Sequence, residues 1–288
     1  MKTVVITGSA RGFGLEMAKE FRKYNYNVVI SDILNDELAK AETLLKSISG
    51  NGSVLSVRCD VTSEEDLIVL KDEAVKNFGS IDIWINNAGV NQKMVPIWEV
   101  DTKDIDRLID IDLKGSVVGS KIAMNQMIKQ GFGQIYGIEG YGSDDAMMTG
   151  LSIYGTSKRG LTYFLESLAK EVDDKKLNIQ VGLLAPGIMI TDFVNHSMGT
   201  DGFELSEKVK KVYNILGDKP DVIAEFLVKK IVKNNKNGVR FTWLTGSKAM
   251  WRFMTSGTRK NRFFDWWKDL LITIWYIYIH TCITKKGK

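Results

Sequence analysis

A tyrosine and a lysine four residues apart, Tyr154 and Lys158, stand in the stretch YGTSK and suit proton transfer. Positions i and i+4 of a helix share one face, so the phenol and the ammonium group lie side by side. A nearby positive charge stabilises phenolate and lowers the pKa of the phenol from its ordinary value of about 10. Such a phenol can give or take a proton while a hydride moves beside it.

A glycine-rich turn provides a place for the hydride carrier. TGSARGFG puts Gly8, Gly12 and Gly14 between an apolar strand and a helical segment. Glycines allow a tight turn and close approach to a diphosphate, and the following helix N-terminus offers free N–H groups. The strand–turn–helix context makes this motif a dinucleotide-binding signal.

Acidic and small residues at the next strand ends bear on the choice of dinucleotide. Asp32 ends the second strand, where an acid binds ribose hydroxyls and repels a 2′-phosphate, which favours NAD. Arg11 beside the glycine turn could instead accept a 2′-phosphate, so NADP remains an alternative. Asp60 ends the third strand and is predicted to meet the adenine. The small residues of NNAG (86–89) let a cofactor lie against the backbone.

The elements that position these residues alternate along the chain. Apolar runs at 3–8, 27–32, 53–60, 81–89, 133–140, 178–187 and 239–246 are separated by helical segments. Nearly continuous apolar runs are typical of strands buried on both faces of a parallel sheet. We therefore predict an α/β fold, a doubly wound sheet of about seven strands with helices on both faces and the site at the carboxyl ends of the strands.

Composition excludes several other classes. The chain has 288 residues, 44% of them hydrophobic, and a net charge of +4 without a compact basic stripe, so we expect no nucleic-acid partner. Cys59 and Cys282 lack metal-ligand spacing, so no metal site is predicted, and two isolated cysteines fit a reducing compartment. The sequence opens directly on a strand, so we expect a cytoplasmic protein without a signal peptide.

The motifs TGSARGFG, NNAG, YGTSK and PGIMIT, in this order and spacing, resemble the short-chain dehydrogenase/reductase family over roughly residues 2–245. The resemblance implies a Rossmann-type fold, a homodimer or homotetramer, and a small-molecule substrate. It implies that Tyr154 is the acid/base and that Lys158 binds the nicotinamide ribose. The implied cofactor-binding residues are Gly8, Ser9, Arg11, Gly12, Phe13, Gly14, Asp32, Asp60, Val61, Asn87, Ala88, Gly89, Tyr154, Lys158, Pro186, Gly187 and Thr191.

Two positions depart from the family pattern. Asp112 stands where the family has an asparagine that supports a proton relay, and the Glu139-Gly140 pair stands where it has a serine that holds the substrate oxygen. Stretches such as IYGIEGYGS and WLTGSKAMWRF resemble the chlorophyll(ide) b reductase branch, which also has an acidic residue followed by glycine. Gly140 is a predicted substrate contact, and Ser143, Ser152 or a protonated Glu139 could supply the missing donor.

The last part of the chain contains a predicted substrate lid and a C-terminal extension. After Thr191 the resemblance implies a substrate lid, with Phe193 among its lining residues. We divide the chain into a Rossmann-type domain, 1–250, and an aromatic and apolar extension, 251–288. The run from Leu270 to Ile283 has 14 residues, short of the roughly 20 that a span needs. Packing on the body or on a partner subunit, contact with a membrane surface through 263–283, and a span all remain alternatives.

These features predict an NAD(P)-dependent oxidoreductase that moves a hydride between nicotinamide and a carbonyl or alcohol, with a bulky hydrophobic substrate. One alternative within this class is a formyl reductase of the chlorophyll(ide) b type. An alternative of another class is a nucleotide-binding regulatory or scaffold protein that has lost turnover.

Overall fold

A seven-stranded parallel sheet forms the centre of the part of the chain that the computed structural model describes, residues 1–189, 207–259 and 262–263. The strand order is β3-β2-β1-β4-β5-β6-β7. Strands β1 to β7 are Thr3–Ile6, Asn27–Asp32, Val54–Arg58, Ile83–Asn86, Gly133–Ile138, Ile179–Ala185 and Val239–Thr242. The predicted doubly wound α/β class is confirmed.

Helices cover both faces of this sheet. Successive strand residues point to opposite faces, so Val4 and Ile6 pack with one group of helices while Val5 packs with the other. Helices α1 and α8 lie on the first face, and α3, α5 and α6 lie on the second. The described helices α1 to α9 are Gly12–Lys23, Asn35–Ser47, Glu64–Phe78, Thr102–Leu108, Ser116–Gln130, Ser152–Asp174, Glu207–Leu216, Pro220–Val232 and Gly246–Met254.

Local signals account for where several helices begin and end. The Ser63 hydroxyl accepts a hydrogen bond from the N–H of Asp66 and so caps α3, while Gly79, with φ of 82°, ends it. A π-helical segment, Ile109–Gly115, joins α4 to α5 and contains Asp112. Because π-turns redirect side chains and frequently occur at functional sites, this segment is a natural place for a site residue.

The order of the strands brings the predicted motifs to one edge. Strands β1 and β4 are neighbours, although β2 and β3 follow β1 in sequence, so the chain reverses its winding direction between β1 and β4. Ligands of such sheets bind outside the carboxyl ends of the strands at this switch point. The glycine turn follows β1 and NNAG follows β4, so both adjoin the crevice.

An arginine cluster binds the loop that follows α7. Arg252, Arg259 and Arg262 donate hydrogen bonds to the last carbonyls of α7 and to Gly217, at 2.7, 2.7 and 2.8 Å. All three guanidinium groups also pair with the carboxylate of Asp218. Cations at the C-terminal end of a helix stabilise its unpaired carbonyls. The residues after 250 that the structure describes are thus held against the loop at 215–218.

The membrane-span and tail predictions lie mostly outside the described residues. Within the described ranges no helix has both the length and the apolar character to cross a membrane. The tail from 264 onward, with most of the predicted surface segment 263–283, is outside those ranges. The division into 1–250 and 251–288 stays a prediction.

Candidate active site

The glycine turn leaves room for a diphosphate at the start of α1. Gly8 and Gly12 have φ values of +60° and +59°, in the left-handed region that favours glycine. A Cβ on Gly8 would lie 2.7 Å from Cα of Ala88, whereas a Cβ on Gly12 would meet nothing within 4 Å. Helix α1 begins at Gly12 with no side chain capping its N–H groups. Open space before uncapped N–H groups fits the diphosphate of a dinucleotide.

Hydrogen bonds between the β1 and β4 loops fix this turn. The Thr7 hydroxyl accepts the N–H groups of Asn87 and Ala88 at 3.0 and 3.1 Å. The Asn87 amide donates in return to the carbonyls of Thr7 and Gly8 at 2.9 and 2.8 Å. Gly14 lies beneath the turn, because a Cβ there would overlap this amide and the Gly8 carbonyl. Asn87, predicted as a cofactor contact, therefore holds the glycine turn in shape.

Two predicted cofactor residues turn their side chains into the core. The Ser9 hydroxyl donates to the carbonyl of Ile6 at 2.7 Å and accepts the N–H of Ser31 at 3.1 Å. Phe13 is buried within the hydrophobic core. A cofactor contact by Ser9 or Phe13, which stays a prediction, would therefore involve the main chain.

The predicted adenosine contacts lie where the sequence expects them, at the ends of β2 and β3. The Asp32 carboxylate is half-buried and accepts N–H groups from Leu34 at 3.2 Å and Ala10 at 3.4 Å. Arg11 is exposed beside it. The arrangement offers both an acid for ribose hydroxyls and a cation for a 2′-phosphate.

Asp60 and Val61 have structural partners of their own. One oxygen of the Asp60 carboxylate accepts the N–H and the hydroxyl of Thr62, at 2.9 and 2.7 Å. Val61 is 9% exposed and packs against Gly115 of the π-helical segment. The second Asp60 oxygen and the Val61 main chain remain the candidates for the adenine contact.

Tyr154, Lys158 and Asp112 form a buried chain of ionisable groups. Tyr154 is 9% exposed, and the Lys158 ammonium lies 5.4 Å from the centre of its ring. Oδ2 of Asp112, which has no solvent exposure, lies 2.9 Å from Nζ of Lys158. Oδ1 of Asp112 accepts the N–H of Val90 at 2.7 Å, which anchors the carboxylate beside NNAG. Helix α6 and the π-helical segment thus bring together residues that are far apart in sequence.

Opposing effects set the protonation of this group. Burial raises the pKa of Tyr154, the Lys158 charge counteracts it, and the Asp112 charge adds to the rise. The net direction is upward, opposite to the lowering that the sequence predicts from Lys158 alone. Burial works against the Lys158 ammonium, yet Asp112 raises the pKa of Lys158 above its ordinary value. The phenol is therefore protonated and the lysine charged at neutral pH.

The Tyr154 hydroxyl occupies the space that a side chain at residue 140 would need. A Cβ built on Gly140 would overlap the phenol oxygen and lie 3.0 Å from the ring carbon that bears it. The same Cβ would lie 3.1 Å from Cγ of Lys158. Gly140 is thus a notch for the phenol, and a serine does not fit there with Tyr154 in this position.

The three candidate replacements for the serine donor have other environments. The Glu139 carboxylate accepts a hydrogen bond from Thr162 at 3.0 Å and pairs with Arg240 at 3.0 Å. Burial raises the pKa of Glu139, although Arg240 opposes that rise. These partners hold Glu139 between α6 and β7, and its role as a donor to the substrate stays a prediction.

The two serines are also poorly placed as donors. The Ser143 hydroxyl accepts the N–H of Gly140 at 3.1 Å and lies 3.5 Å from the carbonyl of Lys158. Ser152 is exposed at the first position of α6. Neither serine presents a free hydroxyl in a buried position beside the phenol.

The residues just after β6 pair with Asp218, which follows α7. Pro186 is buried and Gly187, with φ of +71°, is exposed. The N–H of Asp218 donates to the carbonyl of Ile188 at 3.1 Å, and Met189 forms an isolated bridge with Asp218. The residues just after β6 are therefore held against the loop that follows α7. The predicted contacts Thr191 and Phe193 lie outside the described residues.

One residue that sequence reasoning missed contacts the start of α6. Oε1 of Gln92 accepts the N–H groups of Ile153 and Tyr154, at 3.1 and 3.0 Å. Gln92 is 5% exposed. Its position three residues after NNAG was the available signal, but nothing in the local pattern indicates a partner 61 residues away.

The sequence was also compared with protein families. The family model described as short chain dehydrogenase matches residues 2–201. The chain belongs to the short chain dehydrogenase family. This is the family that the sequence motifs predict.

The chain is similar to two chlorophyll(ide) b reductases of Arabidopsis thaliana. It is 32% identical over 280 residues to the probable reductase NYC1, covering 92% of this chain and 55% of the relative. It is 33% identical over 272 residues to the reductase NOL, covering 90% of this chain and 76% of the relative. These matches confirm the predicted branch, although the chain spans only about half the length of NYC1.

Solved structures share the fold. An NAD⁺-bound xylitol dehydrogenase has a TM-score of 0.74 and 25% identity, covering 85% of this chain and 98% of that chain. A metagenomic short-chain oxidoreductase in complex with NADP has a TM-score of 0.64 and 22% identity, covering 84% and 97%. Of these two proteins of similar fold, the first is bound to NAD⁺ and the second to NADP.

Proposed function

We propose that the protein transfers a hydride between a nicotinamide cofactor and the carbonyl or alcohol carbon of a bulky hydrophobic substrate, with Tyr154 handling the proton. The observation that carries this proposal is the buried group of Tyr154, Lys158 and Asp112 beside the open glycine turn. Such a group is expensive to bury, and perturbed ionisable residues of this kind cluster at functional sites.

The roles of the side chains follow from their positions. A nicotinamide bound at this edge would supply the hydride for a carbonyl carbon, or would accept one from an alcohol carbon. In the reductive direction the protonated Tyr154 phenol gives its proton to the oxygen that gains negative charge. The Lys158 ammonium, held by Asp112, then stabilises the resulting phenolate and, as the family resemblance implies, binds the nicotinamide ribose. In the oxidative direction each transfer runs backwards.

The cofactor and the remaining site roles belong to the same proposal. Asp32 supports NAD as the preferred cofactor, while the exposed Arg11 leaves NADP as the alternative. The main chain of the glycine turn would hold the diphosphate, and Asp60 would meet the adenine. We also propose that the protein is a homodimer or homotetramer and that it lies in the cytoplasm. Residues 263–283 would contact a membrane surface.

A formyl group on a chlorophyll(ide) b-type macrocycle is the second candidate substrate. The similarity to NYC1 and NOL, whose names state chlorophyll(ide) b reductase, favours it. Chlorophyllide b therefore belongs in the substrate panel, together with aromatic aldehydes and cyclic ketones.

Turnover with this panel tests the proposal. Purified protein is mixed with NADH or NADPH and each carbonyl, and loss of the reduced nicotinamide is followed. We expect Tyr154→Phe to abolish turnover while NADH still binds. Tyr163→Phe is the matched control, because Tyr163 lies on the same helix but is 74% exposed. NADH binding without turnover of any carbonyl by the wild type would instead favour the scaffold alternative.

A further inference from the structure

Two polar atoms near Tyr154 are buried without a hydrogen-bond partner among the described residues, Nε2 of Gln92 and Oδ2 of Asp112. The Asp112 oxygen is compensated by the Lys158 ammonium at 2.9 Å. The Gln92 amide nitrogen has no hydrogen-bond partner within residues 1–189, 207–259 and 262–263. Because native proteins leave few buried donors unpaired, an orphan donor of this kind calls for a specific partner.

The hydrogen bonds of Gln92 fix which end of its amide is the donor. Its other terminal atom accepts two backbone N–H groups, those of Ile153 at 3.1 Å and Tyr154 at 3.0 Å. Only the carbonyl oxygen of an amide can accept, so rotating the amide by 180° would oppose donors to donors. The NH₂ group is therefore the end of the side chain that lacks a partner among the described residues.

Gln92 also replaces the missing cap of α6. Leu151, at the N-cap position, makes no side-chain hydrogen bond to the helix. The first N–H groups of a helix have no partner within it, and Gln92 satisfies two of them. The same side chain thus fixes the start of the helix that carries Tyr154 and keeps its NH₂ donor beside that start.

A cavity of about 180 Å³ is lined in part by Gln92. It lies between the segment after NNAG and helix α4, and Ile153 forms its border toward Tyr154. Its lining includes Val90, Asn91, Gln92, Ile105, Leu108 and Ile153. One water occupies roughly 30 Å³ in the liquid, so the cavity has room for a small substituent bearing an oxygen atom.

We propose that Gln92 selects substrates that carry a second oxygen acceptor, such as an ester or ring carbonyl, in addition to the reacting carbonyl. The acceptor enters the cavity between α4 and the start of α6 and receives a hydrogen bond from the Gln92 amide. This inference rests on the proposed oxidoreductase function and adds a specificity-determining residue to it. Apolar substrates of the same size leave the donor unpaired and bind less tightly.

Two variants separate the cap from the donor. Gln92→Glu keeps an oxygen that accepts both helix N–H groups and removes the NH₂ donor, so we expect its Tm to match or exceed that of the wild type. Gln92→Met has similar length and neither function, so we expect its Tm to fall by roughly 2–4 °C. Both variants lose the donor, and only one loses the cap.

A pair of aldehydes tests selection by the donor. Methyl 4-formylbenzoate carries an ester acceptor, and 4-isopropylbenzaldehyde carries an apolar group of similar size in its place. Their Kd values are measured in a Tyr154→Phe background with NADH bound, so the comparison does not require turnover. We expect the Gln92 protein to bind the ester about tenfold more tightly than the alkyl compound, and Gln92→Glu to lose this preference.

The outcomes are distinct from those of the turnover assay. Equal affinity for the two aldehydes when Gln92 is present, or a preference that survives in Gln92→Glu, overturns the inference, and so does failure to bind either. Loss of the preference in Gln92→Glu at unchanged Tm supports a ligand contact, because a purely structural cap would leave the ratio of the two Kd values unchanged. Absence of turnover by the wild type contradicts the proposed function alone.

Discussion

Restoring a serine at residue 140 should inactivate the enzyme rather than improve it. If Gly140 were only a lost donor, Gly140→Ser would gain rate, since one oxyanion-type donor contributes on the order of 10²–10³ in kcat. The structure predicts the opposite sign, because the Tyr154 phenol oxygen already occupies the position of the added Cβ. The two explanations therefore differ in direction and not only in size.

The size of the effect follows from the overlap at the notch. For the Cβ to reach ordinary van der Waals separation, the phenol oxygen must withdraw by about 1 Å. A misplacement of about 1 Å at a reacting group costs on the order of 10² in rate, or roughly 2.7 kcal/mol of transition-state stabilisation. Overpacking of this kind also lowers the free energy of unfolding by about 1–3 kcal/mol.

The assay compares Gly140→Ala, Gly140→Ser and a glycine control on α6. A Cβ on Gly155 would meet only Cα of Gly142 at 3.8 Å, an ordinary contact, so Gly155→Ala should retain activity and gain about 0.5–1 kcal/mol in stability. We expect both residue 140 variants to lose about 10²-fold in kcat with the best carbonyl of the panel. Their Kd for NADH should stay close to that of the wild type.

The result that refutes this reasoning is a Gly140→Ser enzyme with wild-type or higher kcat at unchanged stability. Such an enzyme would mean that Tyr154 does not rest in the notch during turnover. Loss of activity in Gly140→Ala together with recovery in Gly140→Ser would likewise assign the position to a missing donor.

Two further predictions concern buried carboxylates. Asp112→Asn removes a negative charge that raises the pKa of Tyr154. In alcohol oxidation the rise of kcat/KM with pH should therefore move to lower pH. An unmoved profile would show that the Asp112 charge does not act on the pKa of Tyr154. Asp218→Asn should cost about 3–5 kcal/mol at pH 7 in urea unfolding, because three arginines lose their shared counter-ion. Hydrogen bonds and positive charges outweigh burial and hold the pKa of Asp218 below its ordinary value of 3.8, so its contribution is complete above that pH and fades as the pH falls below it. The deficit of Asp218→Asn should therefore shrink below pH 4, whereas the exposed Asp174→Asn should change stability little at any pH.

Local sequence patterns were sufficient to predict most of the fold and the edge of the sheet where the cofactor is expected to bind. The seven strands are short apolar runs, and the glycine turn lies between a strand and a helix, so periodicity and turn chemistry were sufficient to predict them. Ser63 caps the start of α3 and Gly79 ends it, as the capping chemistry of the two residues predicts. These features depend on neighbours in the chain and need no knowledge of tertiary contacts.

The missed features all depend on contacts between distant segments. The sequence contains Asp112 and Lys158, but only the π-helical segment and the burial of α6 make them an ion pair. The sequence indicates no partner for Glu139, whereas in the structure Thr162 and Arg240 approach it from α6 and β7. The notch at Gly140 depends on the rotamer of a side chain 14 positions later, which no residue pattern specifies.

Asp218 is a shared anchor for two parts of the chain that are far apart in sequence. Its N–H donates to the carbonyl of Ile188, just after β6, and its carboxylate pairs with Arg252, Arg259 and Arg262. Because one residue holds both, a substitution among these arginines acts on the chain end that follows Pro186 and Gly187 at the cofactor edge, as well as on the stability of the C-terminal residues that the structure describes.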